Sequence, residues 1–270
     1  MNYRHAFHAG NFADCVKHAL LVWIVRALAR KPAPFRVLDT HAGRGRYDLM
    51  GEAERTGEWR DGIARLLGDP PAPLADYAGL VERLGLYPGS PLLVRALLRE
   101  GDRLACCELH PEDAAALRRL FAGDGQVSVH HRNGYEAVRA LLPPPERRGL
   151  VLLDPPFERD DEWDRLLGTL REGARQFAGG VQVAWYPIKG RAAPRAFHDG
   201  IRDAGLRDAV AAELWLREPV MASRLNGCGL LVRNPPYGFE AEAPGILAAL
   251  LERLGQGEAG GSRVVRITDE

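Results

Sequence analysis

Short apolar runs alternate with segments of helical periodicity along most of this chain. The runs predict strands ending at Asp39, Glu108 and Asp154. Further runs predict strands at residues 126–130, 180–186, 212–216, 229–233 and 263–268, and helical periodicity covers 14–30, 112–121, 135–142 and 246–254. The helix at 14–30 is expected to be amphipathic and to end before Pro32. Because strands and helices alternate, we predict an α/β fold with a mainly parallel sheet and helices on both faces.

The spacing between two of these strands is longer than a simple βαβ unit needs. An acidic strand end normally follows the glycine loop by about 20 residues, but Glu108 follows Gly45 by about three times that distance. We therefore divide the chain into residues 1–46, which hold the N-terminal segment and the glycine loop, a helical insertion at 47–99, and the remainder at 100–270. Within the insertion, helices are expected at 57–67 and 74–84.

The composition fits one domain with a substantial core. The chain has 270 residues, 46% of them hydrophobic, and a formal net charge of zero. With no overall positive field, any RNA site must be a local patch. Only three of the 36 basic residues are lysines, a bias that we attribute to genome base composition rather than to RNA chemistry.

The cysteines and the longest apolar stretch indicate the compartment. Four cysteines, two of them adjacent at Cys106 and Cys107, form neither a disulfide framework nor a C-x-x-C metal motif. The stretch 19–29 is too short to span a bilayer, is broken by Arg26, and follows no signal peptide. We expect a cytoplasmic protein with no membrane partner.

Asp154-Pro155-Pro156-Phe157 is the main candidate for chemistry. It ends a buried strand, and in open α/β sheets ligands bind at the carboxyl ends of strands. The two prolines have no N–H and leave backbone carbonyls free to accept hydrogen bonds. Asp154 and the Pro155 carbonyl can accept the two hydrogens of an exocyclic amine while Phe157 stacks on the base. The alternative interpretation is that Asp154 and Pro155 simply begin an ordinary turn without a catalytic role.

A glycine-rich loop follows the first strand. Asp39, Gly43 and Gly45 give the D-x-x-x-G-x-G pattern of S-adenosylmethionine (SAM) methyltransferases, and Asp48 stands where a dinucleotide fingerprint needs its third glycine. Asp39 can anchor the methionine ammonium group, and Glu108 can hold a ribose diol with its two oxygens. No histidine has the spacing of a metalloenzyme motif, and methyl transfer from a sulfonium needs no metal. We therefore predict SAM as the cofactor, S-adenosylhomocysteine as the product, and no metal.

A second tetrapeptide, Asn234-Pro235-Pro236-Tyr237, also follows an apolar run and matches the looser Asn/Asp-Pro-Pro-aromatic pattern. The place in the strand order favours the tetrapeptide at Asp154 as the catalytic one, because Asp154 ends the second strand after Glu108. Late strands such as the one before Asn234 usually cover the far edge of the sheet.

The chain resembles the bacterial 23S rRNA (adenine(2030)-N6)-methyltransferase family over nearly its full length. The similar blocks are residues 3–14 with Lys17 and His18, 39–43, 54–58, 87–91, 108–111, 154–157 and 185–187. Three positions depart from the family pattern: Asn133 precedes Gly134 where the family can carry Asp, Arg44 lies in the glycine loop, and Phe157 replaces the commoner Tyr. Asn still accepts a hydrogen bond and Phe still stacks.

The resemblance implies a Rossmann-like SAM-dependent methyltransferase with a seven-stranded type of sheet. It implies N6-methylation of one adenine in 23S rRNA, either naked or in an early assembly particle, by a protein without an obligate protein partner and expected to be monomeric. The cofactor residues would be His18, Asp39, His41, Gly43, Ser90, Glu108, Asn133, Gly134 and Asp154.

Residues 3–18 are dense in aromatic and basic side chains. Tyr3, His5 and Lys17 are assigned to the RNA, because such side chains stack on bases and meet phosphates. The segment is expected to lie across the mouth of the cofactor site and to order when SAM or RNA arrives. Two other functions stay open: a DNA adenine-N6 methyltransferase with the same tetrapeptide, and a non-catalytic RNA-binding module that binds no SAM.

Overall fold

The computed structural model describes residues 5–221, 223–257 and 259–270 of the chain. The strands are β1 (Arg36–Asp39), β2 (Arg46–Tyr47), β3 (Tyr87–Pro88), β4 (Arg103–Glu108), β5 (Val127–His131), β6 (Gly149–Leu153), β7 (Val181–Ile188), β8 (Ala209–Trp215), β9 (Gly227–Arg233) and β10 (Gly261–Thr268). The helices are α1 (Phe12–Ala29), α2 (Ala75–Leu84), α3 (Ser90–Leu97), α4 (Pro111–Leu120), α5 (Gly134–Leu141), α6 (Glu162–Gln176), α7 (Ala192–Asp203) and α8 (Phe239–Leu254).

Eight strands form one twisted sheet in the order β10-β8-β9-β7-β6-β1-β4-β5. The strands β1, β4, β5, β6 and β7 are parallel, whereas β9 runs antiparallel to both of its neighbours and β10 runs antiparallel to β8. The predicted α/β fold with a mainly parallel sheet is confirmed. Seven strands follow the expected type, and β10 is an additional strand at the edge.

Two apolar cores cover the two faces of the sheet. One face packs against α1, α3 and α8, and the other packs against α5, α6 and α7. The strand order reverses between β1 and β6. After β1 the chain adds β4 and β5 on one side, and after β6 it adds β7 and the later strands on the other side. Such a switch point leaves a crevice at the carboxyl ends of the strands, where ligands of open α/β sheets bind.

The helix α1 differs from the amphipathic helix that its sequence predicts. Fourteen of its eighteen residues are buried, because α1 packs against α2, α3, α8 and β9 and keeps almost no solvent face. Its start is well defined, since the Asn11 side chain accepts a hydrogen bond from the Asp14 N–H at 3.0 Å. No helix within the described ranges is both long and apolar enough to cross a membrane.

The segment after the glycine loop consists of short pieces. Four 3₁₀ turns, at Glu52–Arg55, Glu58–Arg60, Ile63–Leu66 and Ala72–Leu74, precede α2. The single helix predicted at 57–67 is therefore two turns instead. The break is at Gly62, whose φ of −111° and ψ of −113° lie outside the helical region. A Cβ there would stand 2.0 Å from the Gly10 carbonyl oxygen, so only glycine fits at this contact with the N-terminal segment.

Candidate active site

A cavity of about 940 Å³ opens at the carboxyl edge of the sheet, at the switch point between β1 and β6. This volume is near the upper end of the range of about 300–1,000 Å³ for ligand sites. The cavity brings together most of the residues predicted from the sequence, namely Lys17, His18, His41, Gly43, Ser90, Glu108, Asn133, Gly134, Asp154, Pro155 and Phe157.

Asp39 ends β1 and is fully buried directly behind the Ser90 hydroxyl. Ser90 Oγ donates a hydrogen bond to Asp39 Oδ2 at 2.7 Å, and Asp39 Oδ1 is buried without a hydrogen-bond partner among the described residues. Burial raises the pKa of Asp39 to about 7, although the Ser90 hydrogen bond lowers it. Asp39 does not line the cavity, whereas its neighbours Thr40 and Ser90 do. A donor such as an ammonium group would have to reach past them to satisfy this oxygen.

The glycine loop and Glu108 hold each other in place. The Gly43 N–H donates to Glu108 Oε2 at 2.8 Å, and the His110 N–H donates to Glu108 Oε1 at 2.6 Å. Gly43 and Gly45 have left-handed φ angles of 58° and 77°, which glycine adopts readily. Burial raises the pKa of Glu108, against the effect of its backbone donors, the N–H groups of His110, Gly43 and Leu109. Each oxygen keeps a lone pair that can accept a further hydrogen bond.

Asn133 and Gly134 bring the start of α5 against the end of β1. The Asn133 side chain caps α5 by accepting from the Tyr135 N–H at 3.0 Å. A Cβ at Gly134 would stand 2.0 Å from the Thr40 carbonyl oxygen, so only glycine fits there. This close approach gives the cavity one wall from β1 and one from α5.

Of the two predicted histidines, His18 is buried and His41 is partly buried, and both are hydrogen-bonded. His18 Nδ1 lies 3.0 Å from the Tyr87 hydroxyl, and His41 Nδ1 lies 2.7 Å from Thr40 Oγ1. Burial lowers the pKa of His41 to about 4, so its ring is neutral at pH 7. Its ring meets the Tyr135 ring edge-on, with 5.1 Å between centroids.

Asp154 follows β6 and forms an ion pair with the buried Lys17. Lys17 Nζ lies 2.6 Å from Asp154 Oδ2 and 2.9 Å from Asp14 Oδ1. Burial by itself would lower the pKa of Lys17, but the two carboxylates outweigh it and raise that pKa well above its usual value. A permanent cation therefore stands against one oxygen of Asp154.

Phe157 is held in an unusual conformation beside an aromatic cluster. Its φ of 51° lies in the left-handed region, which is uncommon for residues other than glycine. The Phe157 N–H donates to Glu162 Oε2 at 3.2 Å. Its ring packs edge-on against Trp163 and Trp185, with centroids 4.9 and 5.8 Å away. These contacts set the direction of the ring at the wall of the cavity.

Comparisons with known proteins agree with this geometry. The family model described as ribosomal RNA large subunit methyltransferase D, RlmJ, matches residues 32–268. The chain belongs to this family. Two relatives, both named ribosomal RNA large subunit methyltransferase J, come from Haemophilus influenzae (39% identical) and Escherichia coli (40% identical), and in each case the alignment covers the whole of both chains. The family resemblance predicted from the sequence is confirmed.

A solved structure supports the same fold. A protein from Legionella pneumophila superposes with a TM-score of 0.88 at 34% identity, over 96% of this chain and 98% of the other. The chain is therefore a member of an rRNA methyltransferase family with a Rossmann-like α/β fold.

The residues assigned to RNA lie in different places. Tyr3 is outside the described residues, and of His5 only the backbone is described, in a 3₁₀ turn at His5–Phe7. Lys17, which the sequence suggested would meet phosphates, is instead buried against Asp154. Between His5 and Lys17, the side chains of His8 and Asn11 line the cavity, and both form a hydrogen bond with Glu58.

The second tetrapeptide is far from the cavity. Because β9 runs antiparallel to β7, Asn234 follows the end of β9 beside the start of β7. It therefore lies at the amino ends of the parallel strands, whereas Asp154 lies at their carboxyl ends. The Asn234 side chain donates hydrogen bonds to the carbonyls of Ala178 and Gly180 at 2.6 and 2.9 Å, and Tyr237 is almost fully exposed. Asn234 thus links the loop after β9 to the loop before β7, which is a structural role.

Sequence reasoning missed Glu162, the first residue of α6. It is buried, and beyond its bond to Phe157 it accepts a hydrogen bond from the Tyr135 hydroxyl at 3.2 Å. The sequence signal that could have identified Glu162 is an acidic residue at the start of a helix, five residues after Phe157. Across the described ranges, no three His, Cys, Asp or Glu side chains are grouped so that they could hold a metal ion.

Proposed function

We propose that this protein transfers a methyl group from SAM to N6 of a specific adenine in 23S rRNA. The observation that carries the proposal is the position of Asp154-Pro155-Pro156-Phe157 in the cavity, between the glycine loop and an aromatic wall. Membership of an rRNA methyltransferase family supports the choice of substrate.

The residues around Asp39 fit SAM. The unsatisfied oxygen of Asp39 suits the methionine ammonium group, and the lone pairs that remain on Glu108 suit a ribose diol. Asn133 and Gly134 line the cavity at the start of α5, and we assign them to the cofactor as well. When bound, SAM supplies a methyl group that is already strongly electrophilic.

Asp154 and Pro155 are assigned to the amino group of adenine. N6 is a poor nucleophile because its lone pair is delocalised into the ring. Asp154 and the Pro155 carbonyl accept its two hydrogens, which favours tetrahedral nitrogen and frees the lone pair. Lys17 occupies Oδ2 of Asp154, so we assign Oδ1 to the substrate. Asp154 takes the proton during or after methyl transfer.

Phe157 and its neighbours receive the base. Chemistry on a base requires that the base leave its stack, and an aromatic ring offers a new stacking partner. Phe157 is held in place by Glu162 and by Trp163 and Trp185, so the stacking surface exists before RNA arrives.

Nucleoside mass spectrometry tests the proposal directly. The full-length protein is incubated with SAM and protein-free 23S rRNA, and in parallel with precursor particles and with duplex DNA. We expect N6-methyladenosine at one position of the rRNA. Methylation confined to duplex DNA would favour the DNA methyltransferase instead, and a folded protein that binds no SAM by calorimetry would favour a non-catalytic RNA-binding module. The cytoplasmic location and the monomeric state stay predictions.

A further inference from the structure

The cavity continues past Asp154 on the side away from Glu108. Its walls there come from the carboxyl ends of β7 and β8 and from the start of β9, which the antiparallel direction of β9 brings to the same edge of the sheet. The lining side chains in this part are Trp185, Lys189, Leu216, Arg217, Arg224 and Leu225, which we call the basic lobe. None of the steps assigned above uses its three cations.

The two sides of Asp154 differ in charge. Glu108 lines the cavity on the side that fits a cationic cofactor, with the buried Asp39 behind Ser90, whereas Lys189, Arg217 and Arg224 belong to the basic lobe. Glu218 lies in the same region, but it is paired with Arg191. Because the whole chain has a net charge of zero, attraction of a polyanion must come from a local group of cations such as this one.

The backbone of the basic lobe is held in position by Asn226, a fully buried residue. Its side-chain amide donates to the Lys189 carbonyl at 2.7 Å and to the Met221 carbonyl at 2.9 Å, and its N–H donates to the Ile188 carbonyl at 3.0 Å. Asn226 thus ties the loop after β7 to the loop between β8 and β9. A lobe that is already ordered loses less conformational freedom when a ligand binds.

Two apolar side chains project from the loop between β8 and β9. Val220 is 78% exposed and Met221 is 56% exposed, in the same loop as Arg217 and Arg224. Apolar side chains of this kind insert between bases in nucleic-acid complexes, and cations beside them meet the phosphates. A single-stranded polynucleotide presents both features to one surface.

We propose that the basic lobe binds the RNA strand next to the target adenine. Lys189 and Arg224 contact the phosphates, and Val220 and Met221 pack against a neighbouring base. This inference rests on the proposed function, since it takes the occupant of the central cavity to be an adenine of rRNA.

The test uses the full-length double variant Lys189→Gln/Arg224→Gln. Steady-state methylation of a 23S rRNA fragment is measured over a range of salt concentrations. At low salt we expect the KM for RNA to rise at least ~10-fold and the salt slope of log(kcat/KM) to decrease by about 1–2, the contribution of two phosphate contacts. The kcat at saturating RNA and the Kd for SAM should stay as in the wild type. Arg175→Gln is the matched control, because Arg175 is an exposed arginine on α6, paired with Glu172, that does not line the cavity.

A second variant separates stacking from charge. Val220→Ser/Met221→Ser should raise the KM for RNA while leaving the salt slope unchanged. If the wild type methylates rRNA but the Lys189/Arg224 variant keeps the wild-type KM and slope, or loses SAM affinity instead, the inference is wrong. If the wild type itself leaves rRNA unmethylated, the proposed function fails before the lobe is tested.

Discussion

Asp154, which lines the cavity, and Asp39, which is buried behind Ser90, are carboxylates with different surroundings. Asp154 faces the buried cation Lys17, whereas Asp39 is fully buried and accepts a hydrogen bond from the Ser90 hydroxyl. Burial raises the pKa of Asp39, so its charged form is unfavourable until a ligand supplies a partner. The two residues therefore suit different tasks, amine binding for Asp154 and cofactor binding for Asp39.

Replacement of Asp154 should separate catalysis from cofactor binding. We expect Asp154→Ala to reduce the rate of methyl transfer by at least ~100-fold, the usual contribution of a positioned acid or base. The Kd for SAM should change much less. Asn234→Ala is the control, because that residue lies at the opposite edge of the sheet; if it abolishes activity while Asp154→Ala does not, the wrong tetrapeptide has been assigned.

The raised pKa of Asp39 predicts a pH-dependent stability. Between about pH 4 and pH 7 the folded protein keeps a proton that the unfolded chain releases, so Asp39 lowers the free energy of unfolding progressively as pH rises through this window. Asp39→Asn should remove this effect, with an upper limit on the order of 4 kcal/mol above pH 7. Thermal unfolding of ligand-free protein should show the variant more stable than the wild type at pH 8, and this advantage should shrink toward pH 4. An advantage that does not vary with pH would contradict the assignment.

At the scale of elements, the start of α6 connects the two halves of the cavity. Glu162 binds the backbone of Phe157 on the substrate side and the hydroxyl of Tyr135, from α5, on the cofactor side. The strained turn at Phe157 persists because this carboxylate and the neighbouring aromatic rings hold it.

Loss of Glu162 should therefore loosen the stacking wall. We expect Glu162→Ala to lower kcat/KM for RNA by ~10-fold or more, equivalent to about 1.4 kcal/mol of transition-state stabilisation. Glu162→Gln can accept from the Phe157 N–H with its amide oxygen and donate to the Tyr135 hydroxyl with its NH2 group, so it should recover most of this loss. Equal defects in the two variants, or a reduction in thermal stability that accounts for the whole loss, would show that Glu162 acts only in folding.

At the scale of the whole molecule, the cofactor site joins distant parts of the chain. Its walls come from α1, the glycine loop, α3, β4 and α5, so a ligand that contacts them all stabilises the assembled fold. A ligand that binds only the folded state stabilises it by about 2.7 kcal/mol at 100 times its Kd.

SAM should accordingly raise the Tm of the wild type by several degrees at that concentration. Glu108→Ala should weaken SAM binding by about 1.5–3 kcal/mol, and most of the thermal shift should then disappear. Arg175→Gln, on the outer surface of α6, should show the full shift. If SAM leaves the Tm of the wild type unchanged, the cofactor assignment is wrong.

The sequence alone determined the fold class, the family and the positions of the main candidates. Apolar runs ending at Asp39, Glu108 and Asp154 predicted strands, and parallel strands place their carboxyl ends at one edge of the sheet. Most predicted site residues therefore meet in one cavity. The division that treats 47–99 as an insertion and the roles of individual residues stay predictions.

Only the tertiary structure decided which groups face each other. The pairing of Lys17 with Asp154 joins residues 137 positions apart, and no local pattern contains that information. The antiparallel direction of β9 moves Asn234 away from the site and brings the basic lobe into it, and direction is set by packing across the sheet. The helix α1 lost its predicted solvent face for the same reason: periodicity reports one apolar face, whereas burial depends on how many neighbours the fold places around the helix.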